Sequence, residues 1–451
     1  MIGEIVSKTY DLIIKNGKVM TPGGLIEADL GIQDEKISEI GCLTTCSAEE
    51  IYDANGLHIL PGVIDSQVHF REPGLEHKED IAHGTKSAIK GGVTSIFEMP
   101  NTSPLTLDEQ TLQDKLSRAE KTAWCDYAFF MGGNSENAHR LSYLERLPGC
   151  AGVKIFMGSS TGTLLAKDDE VIADVLANGV RRVSVHAEDE DRLISRQNIA
   201  IESESPQSHP DWRDVESAVR ATTRLVKLAR EANRRVHVLH ISSKDEMDIL
   251  AKHKDLISVE VTLNHLTLNA PDCYEQLGAF AQMNPPVRDL IHQTGLWAAI
   301  QNGIVDVIGS DHAPHTIEEK ERPYPSSPSG MPGVQTSLPL LLNHMHEGRL
   351  SLQRIVDLTS AGPQRLFGIA AKGRIAIGYD ADLVIVDLKK RRTISDDWIA
   401  SKCGWTPFDG KSVMGWPTAT VLRGNIVVRE DEVMGTSGGR AVRFFEADVI
   451  N

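Results

Sequence analysis

RVSVHAED at 182–189, RVHVLHISS at 235–243, ISVEVTLNH at 257–265 and VDVIGSDHAPH at 305–315 are short apolar runs rich in valine and isoleucine, each with histidine toward its C-terminal end. Runs of four to eight apolar residues without alternation read as strands buried on both faces, the condition of a parallel sheet. Working back toward the N-terminus, GVKIFMG (152–158), DYAFFMGG (126–133), VTSIFEMPN (93–101) and PGVIDSQVH (61–69) have the same texture, which makes eight. The intervals mostly leave room for a helix, as in Asp211 to Arg234, where apolar residues recur at helical spacing. Strand–helix alternation implies parallel strands joined by crossover helices, and eight such units predict a closed (β/α)8 barrel of the TIM type. A doubly wound open sheet is the alternative. No G-x-G-x-x-G fingerprint or P-loop follows the early strands to support it.

The chain ends read differently. DLIIKNGKVM, EADLGIQDEKISEIG and EEIYDANGLHI alternate apolar and polar residues, with Asn-Gly at 16–17 and 55–56 as turn signals. GRIAIGYDADLVIVDL and TATVLRGNIVVRE repeat that texture within 373–427. The expected organisation is a barrel at 59–370 and a small β-sandwich domain assembled from 1–58 and 371–451.

With 451 residues, 41% hydrophobic and 24% charged, the composition is that of a soluble globular protein. Lys plus Arg number 47 against 63 Asp plus Glu, a formal charge of −16, which argues against nucleic acid or an anionic membrane as the main partner. An anionic ligand would need a local cationic pocket. The first twenty residues lack a basic segment followed by an apolar core, and no apolar run reaches the length of about 20 residues that spans a membrane. Six scattered cysteines read as reduced thiols. The expectation is a cytoplasmic protein that assembles as a homodimer or homotetramer.

Catalytic groups of such barrels project from the C-terminal ends of the strands. Those ends carry Gln67 and His69 (strand one), Asn101 (two), Lys154 (four), His186 (five), His240 (six), Asn264 and His265 (seven), and Asp311, His312 and His315 (eight). A single strand-end histidine is ordinarily a satisfied loop or core residue. Several around one mouth, with a carboxylate, suit a borderline divalent metal such as zinc. Lys154 stands alone among apolar neighbours, where a lysine is rarely buried without a partner. It either snorkels to the rim or, with its pKa lowered by burial, adds carbon dioxide to become a carbamate able to bridge two metal ions.

PGVIDSQVHFREPGLEHKED, EMPNT, GVKIFMG, VHAED, LHISS, MNPPVR and GSDHAPH, in that order, resemble the cyclic amidohydrolases of the amidohydrolase superfamily. Dihydroorotases are nearest, with allantoinases and hydantoinases (dihydropyrimidinases) as close relatives. The resemblance implies one or two Zn2+ ions, one bound by His69 and Asp311 and the other by His186 and His240, with carboxylated Lys154 between them. It implies Arg71, Asn101 and His315 as ligands of the carboxylate of a small anionic cyclic amide. Asn284 in MNPPVR either lies near the substrate ring or belongs to a rigid loop. Asp311 is implied as the proton carrier between the attacking hydroxide and the leaving ring nitrogen, in the interconversion of L-dihydroorotate and N-carbamoyl-L-aspartate in pyrimidine biosynthesis.

Two positions depart from the family pattern. Where the family writes Asp-x-His-x-His, this chain has Asp65-Ser66-Gln67-Val68-His69, so Gln67 replaces an imidazole ligand with a weaker amide oxygen. Hydantoinases resembling this chain carry a tyrosine five residues after the bridging lysine; here that residue is Ser159, which favours dihydroorotase. Gln67 is also the one residue favouring a third reading, a non-catalytic dihydroorotase homologue that partners aspartate carbamoyltransferase. The Pro- and Ser-rich stretch from His315 to Leu342 either covers the substrate or is a passive connection.

Overall fold

The computed structural model describes residues 9–159 and 164–445. The opening of the N-terminal segment, 1–8, and the tail from 446 lie outside the described residues. Strands β1 (Thr9–Thr21), β2 (Gly24–Gln33), β3 (Lys36–Gly41), β4 (Ser47–Asp53) and β5 (His58–Pro61) come first. The barrel follows with β6 (Val63–Val68), β7 (Val93–Glu98), β8 (Asp126–Gly132) and β9 (Cys150–Phe156). It continues with β10 (Val183–His186), β11 (Val236–Val238), β12 (Ile257–Thr262) and β13 (Val307–Gly309). Last come β14 (Leu383–Thr393), β15 (Ser412–Leu422), β16 (Asn425–Arg429) and β17 (Glu432–Val433).

All eight expected barrel strands form, and each pairs in parallel with its neighbour in chain order. A parallel bridge between Val68 and His312 closes the ring, with the His69 N–H donating to the His312 carbonyl at 2.7 Å. The strands are buried along their whole length, as their unbroken apolar runs require. Phe97, Phe130 and Phe367 stack edge-on inside the barrel, with Phe97 5.3 Å from Phe367, so the helix Gly362–Phe367 plugs the pole opposite the catalytic strand ends.

The remaining nine strands form one sheet from both chain ends, in the order β17-β16-β15-β14-β5-β1-β2-β3, with β4 on β1. Its core joins Leu12, Ile14 and Ile32 from the start of the chain to Leu383, Ile385 and Val421 from its end. Two expectations shift. Asn16–Gly17 is a bulge inside β1, not a turn: the register slips between Ile14 and Gly17, and the Asn16 N–H, freed from the ladder, donates to Asp29 Oδ1 at 2.9 Å. A Cβ on Gly17 would come within 2.4 Å of Ile59 Cδ1, so a larger residue there would force that buried side chain to move. Asn55–Gly56 does make the turn, with Gly56 at φ 78°. The helix expected over 211–234 runs from Val215 to Glu231, because Asp214 caps it through the Ser217 N–H and Arg213 turns inward to an ion pair at the barrel mouth. Among the described residues, no helix is long and apolar enough to cross a membrane.

Candidate active site

Each residue anticipated at the mouth sits where the end of its strand puts it. Gln67 and His69 leave β6, and Lys154 is near the end of β9. His186 closes β10, and His240 and Asp311 lie two residues beyond β11 and β13. Gln67 Nε2 donates to Asp311 Oδ1 at 3.1 Å, and His69 Nε2 lies 3.3 Å from the same oxygen. His186 Nδ1 and His240 Nε2 are 3.0 Å apart. Arg71, His240 and Asp311 are held at φ 65°, 38° and 47°, left-handed conformations that cost free energy in residues with a Cβ. Such strain persists only where the surroundings impose it, and it collects at functional sites.

The protonation chemistry favours a cation. Asn101 Oδ1 lies 2.9 Å from His69 Nδ1 and, as an acceptor, receives a hydrogen bond from Nδ1–H, which keeps the proton on that nitrogen. His69 Nε2 is left presenting a lone pair toward the Asp311 carboxylate. Burial lowers the pKa of His69, His186 and His240, the last well below the ordinary value, so the three imidazoles are neutral. Burial also lowers Lys154 to about 7, partly opposed by the charges of Asp311 and Glu260. Lys154 Nζ, Gln67 Oε1 and His240 Nδ1 are buried and have no hydrogen-bond partner. Buried polar atoms ordinarily find partners. Three orphans among neutral imidazoles and a carboxylate form the donor set that a divalent metal would satisfy. Gln67 stands where the family sequence pattern has a histidine, so Gln67→His should tighten binding of a divalent cation about tenfold, or about 1.4 kcal/mol. Competition against a chelator reads this directly, and unchanged affinity would show that Gln67 faces no ion.

Arg71, with His315 beside it, forms the cationic side of the mouth. Arg71 is 3% exposed, with Nη2 3.2 Å from His315 Nε2 and Nε donating to the Pro314 carbonyl at 3.2 Å. Among the described residues no carboxylate pairs with it. Burial lowers Arg71 only to about 10, so it stays charged, while burial takes His315 down to about 3 and leaves it neutral. Asn101 belongs to both halves, orienting His69 beside Arg71. Asn284 lies on the other side, its Oδ1 3.0 Å from His209 Nε2, and lines a cleft of about 370 Å³ with Ser159, Arg213 and the segment Pro325–Ser329. The stretch after β13 therefore forms one wall of this cleft, pinned by Lys320, which donates to the carbonyls of Pro328 and Gly330 at 2.8 and 3.1 Å. Ser159 Oγ donates to Glu190 Oε1 at 2.5 Å.

Other strand-end residues have structural duties. His265 bonds to Thr262 Oγ1 and the Pro285 carbonyl, and His312 to Glu79 and the Gly333 N–H. Asn264 is buried, and neither side-chain atom has a partner. Sequence reasoning missed Glu188, whose Oε2 lies 3.0 Å from His186 Nε2 and 2.5 Å from Arg213 Nη2. Burial raises the Glu188 pKa, but Arg213 and His186 together hold it well below the carboxylate range. Its signal was present in VHAED, two residues after His186. Lys78, 3.2 Å from His315 Nδ1, was likewise inside the quoted LEHKED. Glu79, Asp80 and His83 also converge within 4.8 Å, close enough to share a cation. They do not belong to the mouth constellation: Asp80 caps the helix Ile81–Lys90, and Glu79 accepts from Ser401 and faces His312.

A closed parallel barrel with imidazoles, a carboxylate and a buried lysine at one rim defines a hydrolase of the amidohydrolase kind. The sequence model described as "Amidohydrolase family" matches residues 58–427, and the chain belongs to that family. Its relatives place it among the hydrolases of cyclic amides. It is 36% identical to the dihydroorotase of Halobacterium salinarum over 95% of this chain and 98% of that one. It is 34% identical to the allantoinase of Solibacter usitatus over 96% and 97%. In structure it is similar to the L-hydantoinase (dihydropyrimidinase) of Arthrobacter aurescens, with a TM-score of 0.91, 30% identity and coverage of 96% and 99%.

Proposed function

We propose that the protein is a metal-dependent dihydroorotase, opening L-dihydroorotate to N-carbamoyl-L-aspartate and closing it again in pyrimidine biosynthesis. The observation that carries this reading is Arg71, a buried guanidinium with no carboxylate partner among the described residues, at the mouth that holds the imidazole cluster. A buried cation left unpaired is costly, and a substrate carboxylate is its natural complement. Hydantoin and allantoin carry no carboxylate for it. Ser159, already bonded to Glu190, supplies no phenol where hydantoinases resembling this chain have one.

His69 and Asp311 would hold one Zn2+, His186 and His240 another, and Lys154 as a carbamate would lie between them, with the Gln67 amide in place of a further ligand. A bound divalent ion supplies Lewis acidity and water of lowered pKa. The protein's residues do the rest. Arg71, with neutral His315 and Asn101, receives the carboxylate and fixes which ring carbonyl faces the rim. Asp311 accepts the proton of the attacking water and delivers it to the ring nitrogen as the C–N bond breaks. In ring closure it returns the proton in the opposite order. Asn284 and Pro325–Ser329 narrow the cleft over the ring and limit entry of bulk water. Retention of the whole remaining donor set supports catalysis over a scaffold role beside aspartate carbamoyltransferase.

The test is a panel of dihydroorotate, carbamoyl aspartate, hydantoin and allantoin on protein whose metal has been counted. Turnover of the first two is expected, and turnover of hydantoin or allantoin alone would overturn the assignment. Arg71→Met should lower kcat/KM for dihydroorotate about ten- to a hundredfold, the worth of a charge-assisted hydrogen bond of about 1.5–3 kcal/mol. Any residual activity on uncharged hydantoin should be untouched. Residues 59–370 would be the catalytic unit, steadied by 1–58 and 371–451. All six thiols are free, which supports a cytoplasmic setting. Exposed Ile194, Ile201, Leu290 and Ile291 would contribute to a dimer or tetramer contact, which sedimentation can read.

A further inference from the structure

His186 and Glu188 leave the end of β10 together, and both are buried. Backbone contacts fix the segment. The His186 carbonyl accepts from the Met157 N–H at 2.9 Å. Gly158 lets the Glu188 carbonyl approach the end of β9, where a Cβ would come within 2.6 Å of that oxygen. The Glu188 side chain is fixed as well. Buried Arg213 grips it with Nη2 on Oε2 at 2.5 Å and with Nε 3.1 and 3.2 Å from its two oxygens. The same Nη2 donates to the Ser159 carbonyl at 2.6 Å. The Arg213 N–H donates to the His209 carbonyl, and its own carbonyl accepts from Arg288 Nη1, both at 3.0 Å. A carboxylate clamped in this way stays ionised and cannot turn aside.

Glu188 Oε2 lies 3.0 Å from His186 Nε2. The contact is off the line of a straight N–H bond, but the sign of the charge decides the tautomer. A carboxylate repels an imidazole lone pair and attracts an N–H. A neutral ring carries one proton, so with Nε2 protonated the lone pair falls to Nδ1. That nitrogen is 3.0 Å from His240 Nε2, and the two rings meet edge to face at 4.8 Å. At His69 the Asn101 amide oxygen faces Nδ1 instead. The two imidazoles therefore offer opposite nitrogens, each chosen by the acceptor on its far side. Metal-binding histidines are ordinarily oriented by such an acceptor, and a charged one also makes the ring a stronger donor.

We propose that Glu188 is a positioning residue: clamped by Arg213, it holds the His186 proton on Nε2 and so presents Nδ1, beside His240 Nε2, to a divalent cation. This rests on the reading of His186 and His240 as metal ligands. A purely structural ion pair would tie the end of β10 to the loop before the helix Val215–Glu231 without setting the tautomer of the ring. Nitrogen chemical shifts of metal-free, full-length protein with isotope-labelled histidine report that tautomer directly, and His186→Gln assigns the signal. A proton on Nε2 is expected, and a proton on Nδ1 overturns the proposal. Co2+ affinity, measured by competition with a chelator, separates positioning from scaffolding. Glu188→Leu/Arg213→Met removes both charges and leaves neither buried alone, a replacement that proteins often tolerate. It should weaken Co2+ binding about ten- to a hundredfold, and in a His186→Gln background it should cause no further loss. Unchanged affinity, or an equal loss in both backgrounds, overturns the proposal. Glu188→Gln keeps the volume and an acceptor oxygen and needs no repacking; it should weaken Co2+ binding in the same direction, and unaltered binding would count equally against Glu188. Wild-type protein that takes up no Co2+ would remove His186 and His240 as ligands and the proposal with them, whereas normal uptake that ignores Glu188 would overturn the proposal alone.

Discussion

Asp311→Asn should yield a folded protein that still binds dihydroorotate but turns it over about a thousandfold more slowly. The carboxylate stands between the Gln67 Nε2 donor at 3.1 Å and the unprotonated His69 Nε2 at 3.3 Å, on a residue held at φ 47°. Asparagine keeps the volume, tolerates the left-handed backbone better than most residues, and can still accept from Gln67. It cannot carry a proton from the attacking water to the leaving nitrogen, and positioned proton transfer is worth about a hundred- to ten-thousandfold. The loss should fall on kcat, with KM changed by less than about threefold. Metal content must be counted on the same sample. If turnover and metal vanish together, Asp311 is a ligand first, and near-normal turnover would remove it from proton transfer altogether.

Why the rim residues could be placed from sequence follows from the architecture. A barrel strand is a short apolar run, and the polar residue that ends it is forced to the rim, so counting strands placed His69, Lys154, His186, His240 and Asp311 there together with Asn264, His265 and His312, and only the family resemblance set the five apart. What pairs across the rim follows no such period. Glu188 and Arg213 are 25 residues apart, and His312 and Glu79 are 233 apart. Nothing in the local pattern separates His240, whose Nδ1 has no partner, from His265, whose two nitrogens are both bonded. That distinction rests on the loop at 285 folding back onto β12. The Asn16–Gly17 bulge was hidden for the opposite reason: the dipeptide signals left-handed backbone, which a hairpin and a bulge both use, and the pairing of β1 with β2 and β5 on both sides of it is set by distant segments.

Lys154→Ala tests the centre of the site from the other side, and its expected effect is as large. The amine is 1% exposed, 4.3 Å from the Phe156 ring centroid and without any hydrogen bond. With its pKa near 7, much of it is neutral at physiological pH and nucleophilic toward carbon dioxide. Nitrogen attacks carbon, one proton leaves, and the carbamate gains the two oxygens that a cation bridge needs. Alanine removes both oxygens, so turnover should fall about a thousandfold or more, with far-ultraviolet dichroism unchanged. Added acetate or propionate should restore part of the activity by filling the space with a carboxylate; no recovery at any concentration would count against the carbamate. The metal-free protein offers a check independent of catalysis. There the folded chain binds a proton at Lys154 only below about 7, whereas the unfolded chain binds it up to its ordinary value of 10.5. Between these limits the unfolded state holds more protons, so this residue makes stability rise with pH. Alanine should flatten that rise in denaturant titrations between pH 7 and 10. An unaltered slope would mean that the amine titrates normally and is charged at neutral pH, leaving no neutral nitrogen for carbon dioxide to find.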